Sequence, residues 1–477
     1  MIEVEDIISR EADMKLTFEA QQETALKWRT STAKERIGRL TKIKKYLKQP
    51  QNIDRLLDAL AEDLKKSEVE AMTSEIMVAI HSLDYVINNL KAWMRPREVS
   101  PPLTAIGAQC QTIHEPKGVA LIIAPWNYPF QLAINPIVYA LAAGCPVILK
   151  PSEYSVATSS YLVKMFDDLF DSSEVKVYTG GVDTSQTLLQ LPFNHMYFTG
   201  STTVGKIVMR AAAEHLSSVT LELGGKSPCI IDPKISISAV ADRIIWGKYY
   251  NNGQTCIAPD HLYVHESKVT ATVEALTKSI TKLYGTLDGL PSNPDYGRII
   301  SDRHHQRALD LISDAVQKGA TIAYGGSGDP VSRYIQPTIL TEVSPDAEVM
   351  QEEVFAPILP ILTYDSEDQV IEAINSRPKP LALYVMSKRS DWTNHIINRT
   401  SAGTTVVNDF LIQYANHKLP FGGINASGVG KSHGWYGFMA FTNERSLVKQ
   451  RLAVTRLMHP PYSPWKEKLA KFMTRWL

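Results

Sequence analysis

The sequence predicts an α/β protein: two domains built on parallel sheets covered by helices, with a smaller β element beside them. Two observations carry this. Short apolar runs recur along the chain, each followed by a stretch with helical spacing, and that alternation is how a parallel sheet is wound. The series restarts after Glu222, in a chain whose 477 residues leave room for two or three cores.

Roughly the first ninety residues read as helices. Residues 20–47 carry apolar positions at helical spacing, and 52–60 do so again, running on toward Leu90. Pro96, Pro101 and Pro102 interrupt the pattern, and 109–114 alternates like an exposed strand. Four short buried-strand candidates follow at 118–124, 146–150, 175–178 and 195–199, each leading toward a helix. Beyond Glu222 come strands at 228–231, 261–265 and 359–364, with helices at 269–284 and 301–318. The two units join near Leu223. Strand 109–114 is assigned with residues near the C-terminus to the third, smaller β element. No internal repeat or low-complexity segment is visible.

Composition narrows the function classes. Lys+Arg (50) and Asp+Glu (50) cancel to a net charge of +0, so long-range attraction to nucleic acid is not expected. The acidic, charge-punctuated N-terminus does not read as a secretory signal, and the apolar run 119–124 is too short to span a bilayer. Cys110, Cys145, Cys229 and Cys256 form no C-x-x-C pair and have no histidines at zinc spacing. A reduced, cytoplasmic location and no bound metal are therefore expected. Three of the cysteines sit in apolar or alternating runs, as small fillers do. Cys256 does not.

Four features carry chemistry. No G-x-G-x-x-G occurs, but the strand HMYFT ends at Gly200, and Ser201–Thr202 is placed to cap a helix running from Val204. A helix N-terminus offers free N–H groups to a pyrophosphate, with Gly200 and Gly205 letting the backbone approach it. An ordinary strand–turn–helix would look the same. The stretch GSTTVGK also approaches a nucleotide triphosphate P-loop, yet Ile207 stands where a magnesium-binding hydroxyl is needed. Cys256 lies in the polar YYNNGQTCIAPD, where Gly253 permits a tight turn, so a reactive thiol and an inert loop cysteine are both admissible. His261 and His265 are near in sequence, but nothing orients either as a base. Glu222, at the end of an apolar strand before a Gly-Gly turn, suits a half-buried general base or a strand-end salt bridge. Asn127, in APWNYPF, offers an amide to a developing oxyanion or simply builds an Asx turn.

In combination and order these segments resemble the aldehyde dehydrogenase superfamily along almost the whole chain. The matching motifs are PWNYPF, LKPSE, FTGSTTVG, LELGGK, GQTC, EEVFAP and LPFGG, and the Glu222-to-Cys256 spacing, 256 − 222 = 34, is similar too. The resemblance implies a Rossmann-like NAD(P)-binding domain (1–97 and 117–222), an α/β catalytic domain (223–411), and an oligomerisation element with a C-terminal tail (98–116 and 412–477). It implies Cys256 as nucleophile, an oxyanion held by the Asn127 amide and the Cys256 N–H, and Glu222 activating the water that releases the acid from a thioester. For the cofactor it implies Lys150 and Glu153 near the adenosine ribose, Gly200, Ser201, Val204 and Gly205 at the pyrophosphate and adenine, and Glu353 and Phe355 at the nicotinamide ribose.

The segments SLDYVINNLKAWM, HEPKGVALIIAPWNYPF and SHGWYGFMAFTNERS are similar to the class 3 and fatty-aldehyde branch. That branch is typically dimeric and often accepts NADP as well as NAD. Its resemblance implies a medium- or long-chain aliphatic, or aromatic, aldehyde. Glu153 should repel a 2′-phosphate. A CoA-acylating dehydrogenase is the nearest alternative, and Glu222 speaks against it. Two departures stand out: Ala356 where a glycine is usual, and Gln413 where many relatives have a histidine near the substrate mouth. The tail SPWKEKLAKFMTRWL puts Trp465, Leu469, Phe472, Met473 and Trp476 on one helical stripe, with Lys466, Lys468, Lys471 and Arg475 mostly off it. Docking of that stripe on protein is expected over peripheral membrane contact.

Overall fold

The structure, a computed structural model, describes residues 2–102, 105–450 and 459–476. Its first sheet holds five parallel strands, Ala120–Ile123, Val147–Lys150, Val175–Val177, His195–Gly200 and Ser218–Leu223, joined through helices. Numbered along the chain they lie in the spatial order 3-2-1-4-5, the doubly wound order of dinucleotide-binding sheets. Alternate residues feed opposite cores. Ala120, Ile122, Val147 and Leu149 face the N-terminal helices, and Leu121, Ile123 and Ile148 face a second cluster with Met14, Phe18 and Phe198. The chain winds outward in both directions from Ala120–Ile123. The switch point therefore lies beyond the C-terminal ends of that strand and His195–Gly200, the usual place for a ligand crevice.

Seven strands form the second sheet. Its centre is parallel, in the order Thr338–Thr341, Ile358–Tyr364, His261–His265, Pro228–Ile231, Ala382–Met386, Thr404–Val407, with Thr321–Tyr324 antiparallel at one edge. A third, antiparallel sheet joins Arg97–Val99, Ala108–Pro116 and Thr442–Gln450. Strand 109–114, expected to be exposed, is half-buried because it is the central strand of this sheet. The C-terminal region is also shared: Gly428–Val429 pairs antiparallel with Ser218–Leu223 on the edge of the first sheet.

The N-terminal helices are more broken than their periodicity suggests. Residues 20–47 divide into Ile2–Trp28 and Ala33–Leu47, because Thr32 and Glu35 form a capping box that starts the second helix. Pro50–Leu64 stops at Lys65, whose φ of 51° is left-handed. A π turn, Met72–Ile76, then separates Glu68–Ala71 from Met77–Trp93. The helix Val156–Leu169 has no local side-chain cap and takes one from a distant residue. Asp63 accepts bonds from Ala157 N (3.0 Å), Thr158 N (2.9 Å) and Thr158 Oγ1 (2.7 Å) while itself buried. Asp63→Ala should therefore lower stability by about 2 kcal/mol, read by denaturant titration, since it orphans buried amides as well as removing a cap. An unchanged midpoint would contradict this.

The tail forms a helix, Pro464–Trp476, as expected. Within the chain, Trp465 is 52% exposed and Phe472 61%. Among the described residues, no helix is long and apolar enough to cross a membrane, and no cluster of His, Cys, Asp and Glu could hold a metal ion.

Candidate active site

Four candidate residues meet because their strands end together. Asn127 follows Ala120–Ile123, Lys150 ends its strand, Ser201 follows His195–Gly200, and Glu222 stands one residue before the end of Ser218–Leu223. All are at the C-terminal edge of one parallel sheet. Cys256 is brought to that edge from the second unit by an unusual turn. Asn251 and Asn252 adopt left-handed φ values of 51° and 54°, and Gly253 follows at 72°. Asparagine tolerates that conformation better than most side chains. A Cβ on Gly253 would lie 2.4 Å from Ala356 O, so only glycine fits there. Gln254 then locks the turn, donating to Asn251 O and Arg298 O and accepting from Ile300 N. Thr255 Oγ1 lies 2.6 Å from Tyr128 OH.

The Asn127 side chain is buried, and its amide donates to Gln254 O at 3.0 Å, two residues before the thiol. Cys256 is partly exposed and lines a cavity of about 720 Å³. Burial first, and then the carboxyls of Glu353 and Glu222, push its thiol well above the ordinary range. An electropositive setting, expected for a reactive thiol, is therefore not what surrounds it. The two carboxyls are themselves displaced. Burial raises Glu222 to about 8, moderated by the Lys431 charge. Burial and the nearby Asp260 raise Glu353 to about 8. Both are therefore largely protonated at neutral pH, which relieves their repulsion of a thiolate. Neither Glu222 oxygen has a hydrogen-bond partner among the described residues. Such an orphaned acid leaves its lone pairs for a guest.

Glu353 sits against the glycine pair that follows Glu222. A Cβ on Gly224 would meet its carboxyl oxygen at 2.0 Å. Phe355, at a left-handed φ of 46°, packs edge-on against Trp126, with ring centroids 5.4 Å apart. Trp126 also packs on His304, which in turn meets Tyr154. Neither Trp126 nor His304 was singled out in the sequence, because their partners lie far away along the chain. Lys226 and Asp260 were missed for the same reason. Lys226 bridges Asp260 to the carbonyls of Val349 and Glu352, and Asp260 accepts from Val354 N, so the pair clamps the loop that carries Glu353 and Phe355.

On the nucleotide side, Lys150 is buried and pairs with the more exposed Glu153 at 2.7 Å. Ser201 caps the helix Thr202–Glu214 by accepting from Val204 N at 3.3 Å. Neither Gly200 nor Gly205 has the left-handed backbone that permissiveness would call for. Gly205 is buried with Leu223 where its Cβ would be, at 2.6 Å, so its absent side chain serves helix-to-sheet packing. His261 is held by Asp260 and kept down to about 4, mainly by burial, while His265 bonds Ser267. Neither lines the Cys256 cavity. Gln413 donates to Tyr384 OH at 2.8 Å, and it is its neighbours Leu411, Ile412 and Tyr414 that line the cavity.

A thiol, a raised carboxyl and a buried amide thus lie at the edge of a doubly wound sheet. The model of the aldehyde dehydrogenase family matches residues 7–447. The chain belongs to the aldehyde dehydrogenase family. It is 42% identical to the 4,4'-diaponeurosporen-aldehyde dehydrogenase of Staphylococcus aureus (strain NCTC 8325 / PS 47), over 94% of this chain and 95% of that one. It is also 42% identical to aldehyde dehydrogenase family 3 member A2 of Mus musculus, over 87% of this chain and 85% of the relative. The resemblance to the class 3 branch therefore holds. Among solved structures, the substrate-bound state of Staphylococcus aureus AldH superposes with a TM-score of 0.91 at 40% identity, covering 96% of this chain and 99% of that one. The NAD+ complex of an aldehyde dehydrogenase from Bacillus cereus gives 0.83 at 28% identity, covering 93% and 89%. Membership of this family makes the chain an oxidoreductase that acts on aldehydes, with a nicotinamide cofactor.

Proposed function

We propose that this enzyme oxidises uncharged, largely apolar aldehydes, medium- or long-chain aliphatic or aromatic, to carboxylic acids through a thioester on Cys256. The observation that carries the substrate class is the lining of the Cys256 cavity. Val78, Leu132, Trp246, Ile257, Leu411 and Ile412 contribute its apolar walls. Its acidic residues are Glu70 and Asp295, and among the described residues no lysine, arginine or histidine lines it. A carboxylate-bearing semialdehyde would meet like charge and no counter-ion. The name of the Staphylococcus aureus relative specifies 4,4'-diaponeurosporen-aldehyde and not a semialdehyde, which supports the same class.

In this reading the Cys256 thiol loses its proton to solvent, its sulfur adds to the carbonyl carbon as the C=O π bond opens, and the Asn127 amide and the Cys256 N–H hold the resulting oxyanion. A bound NAD would supply the two-electron acceptor for the hydride that leaves that carbon. Glu222 then removes a proton from water as its oxygen bonds to the acyl carbon, the C–S bond breaks, and the acid departs. Lys150 and Glu153 would hold the adenosine ribose, Ser201 and the helix start with Gly200 and Val204 the pyrophosphate and adenine, and Glu353 and Phe355 the nicotinamide ribose. The free amides of a capped helix start and the paired Lys150–Glu153 fit that ligand, with Glu153 favouring NAD over NADP. We assign these parts to domains at 1–97 with 117–222 and at 223–411. The remaining 98–116 and 412–477 would serve a homodimer. The nine-residue edge strand Thr442–Gln450, exposed along most of its length, supports that assignment.

Steady-state rates across an aldehyde panel test the substrate class. The kcat/KM for hexanal or benzaldehyde should exceed that for succinic semialdehyde by on the order of 10- to 100-fold. A preference for the semialdehyde would refute the reading.

A further inference from the structure

Behind the Asn127 loop, a lysine and a glutamate are paired out of contact with solvent. Lys66 Nζ lies 2.7 Å from Glu75 Oε1, and both side chains are wholly buried. Desolvating two charges offsets much of their attraction, and apolar replacements of such pairs are often no less stable. Stability alone is thus a weak reason for this pair. What its members touch supplies a better one.

Glu75 Oε2 accepts from Phe130 N at 3.1 Å and Gln131 N at 2.9 Å. These amides begin the helix Gln131–Ala143, which has no cap of its own. Lys66 Nζ donates to Asn127 O at 3.2 Å and lies 4.3 Å from the Tyr128 ring centroid. The pair therefore grips the 127–131 segment at both ends. A third contact, from Asn251 Nδ2 to Asn127 O at 2.8 Å, ties the same carbonyl to the turn that carries Cys256. Local backbone irregularity accompanies both partners. Lys66 follows the left-handed Lys65, and Glu75 lies inside the π turn Met72–Ile76, a wide turn often found at functional sites.

We propose that Lys66 and Glu75 are positioning residues that fix the main chain of Asn127 so that its amide meets the developing oxyanion. This rests on the reading of Asn127 as the oxyanion donor. An oxyanion donor works by being held in place beforehand, and displacement by an ångström is enough to slow a reaction on the order of 100-fold.

The test is a cycle of Lys66→Met/Glu75→Leu with Asn127→Ala, followed by rapid mixing with NAD and hexanal. The pair variant should lower the first-turnover rate of cofactor reduction on the order of 10- to 100-fold. NAD affinity should change little, whereas thioester hydrolysis, which forms a second oxyanion at the same carbon, should slow as well. In the Asn127→Ala background the same pair variant should cost almost nothing further, because the group it positions is gone. Additive losses, or a pair variant with the parent first-turnover rate, would overturn the proposal. So would a first-turnover loss matched by an equal loss in NAD affinity, which a general loosening would give. If the pair variant fails to fold, Glu75→Asp serves in the same cycle, keeping both charges while shortening the reach to Phe130 and Gln131. Asn127→Ala alone separates the two claims: if it leaves cofactor reduction intact, the oxyanion reading itself fails.

Discussion

Cys256→Ser is expected to remove aldehyde oxidation, by at least about 10,000-fold, while leaving the fold and NAD affinity in place. The substitution alters one atom on a turn whose shape is set by others: the left-handed Asn251, Asn252 and Gly253 and the three bonds of the Gln254 side chain. Cofactor contacts proposed at Lys150, Glu153, Ser201, Glu353 and Phe355 lie on separate segments. An alcohol is far harder to ionise than a thiol, and neither His261 nor His265 is free to act as its base. Steady-state turnover and NAD titration by fluorescence check the two halves. A serine variant with substantial dehydrogenase activity would remove the nucleophile assignment.

Glu222→Gln should stall the enzyme after the first turnover. An amide cannot take a proton from water, so rapid mixing should give a burst of reduced cofactor followed by a steady rate lower by on the order of 100- to 1,000-fold. Hydride transfer, which does not use Glu222, should keep most of its rate. In the parent enzyme, hydrolysis should rise with pH through about 8, because only the carboxylate form accepts the proton. The same raised pKa has a stability signature of opposite sense. Between the ordinary 4.5 and about 8 the native state keeps a proton that the unfolded chain releases, so this residue makes stability fall as pH rises through that window. Glu222→Gln should therefore melt higher than the parent near pH 8, with the gap closing as pH falls through 4.5. An unchanged steady rate, or a variant that melts lower near pH 8, would count against the role.

The fold class was legible because its signal is local. Apolar runs such as 118–124 and 195–199 are buried on both faces, and each stands before a helix, so strand and crossover show in the letters. Where the reading failed, competing local signals were at work. The capping box at Thr32 and Glu35 was present in the sequence, but the unbroken apolar spacing around it masked the helix start. The half-burial of strand 109–114 could not be read locally, because it depends on a partner more than three hundred residues away.

The candidate site divides along the same line. Cys256, Glu222 and Asn127 sit in or beside polar or glycine-rich turns, where function leaves a mark. The groups that hold them are distant in sequence and look like ordinary surface charges: Lys66 and Glu75 behind Asn127, and Lys226 and Asp260 behind Glu353. Gly205 has a packing role that its neighbours in the sequence do not disclose: Leu223 occupies the space where a side chain would go.

The most direct test of the central claim is the intact mass of Glu222→Gln after incubation with NAD and decanal, followed by peptide mapping. The account predicts a decanoyl adduct, labile to hydroxylamine as a thioester is, on the peptide containing Cys256. A burst of reduced cofactor without any acyl adduct, or an adduct confined to another residue, would contradict it.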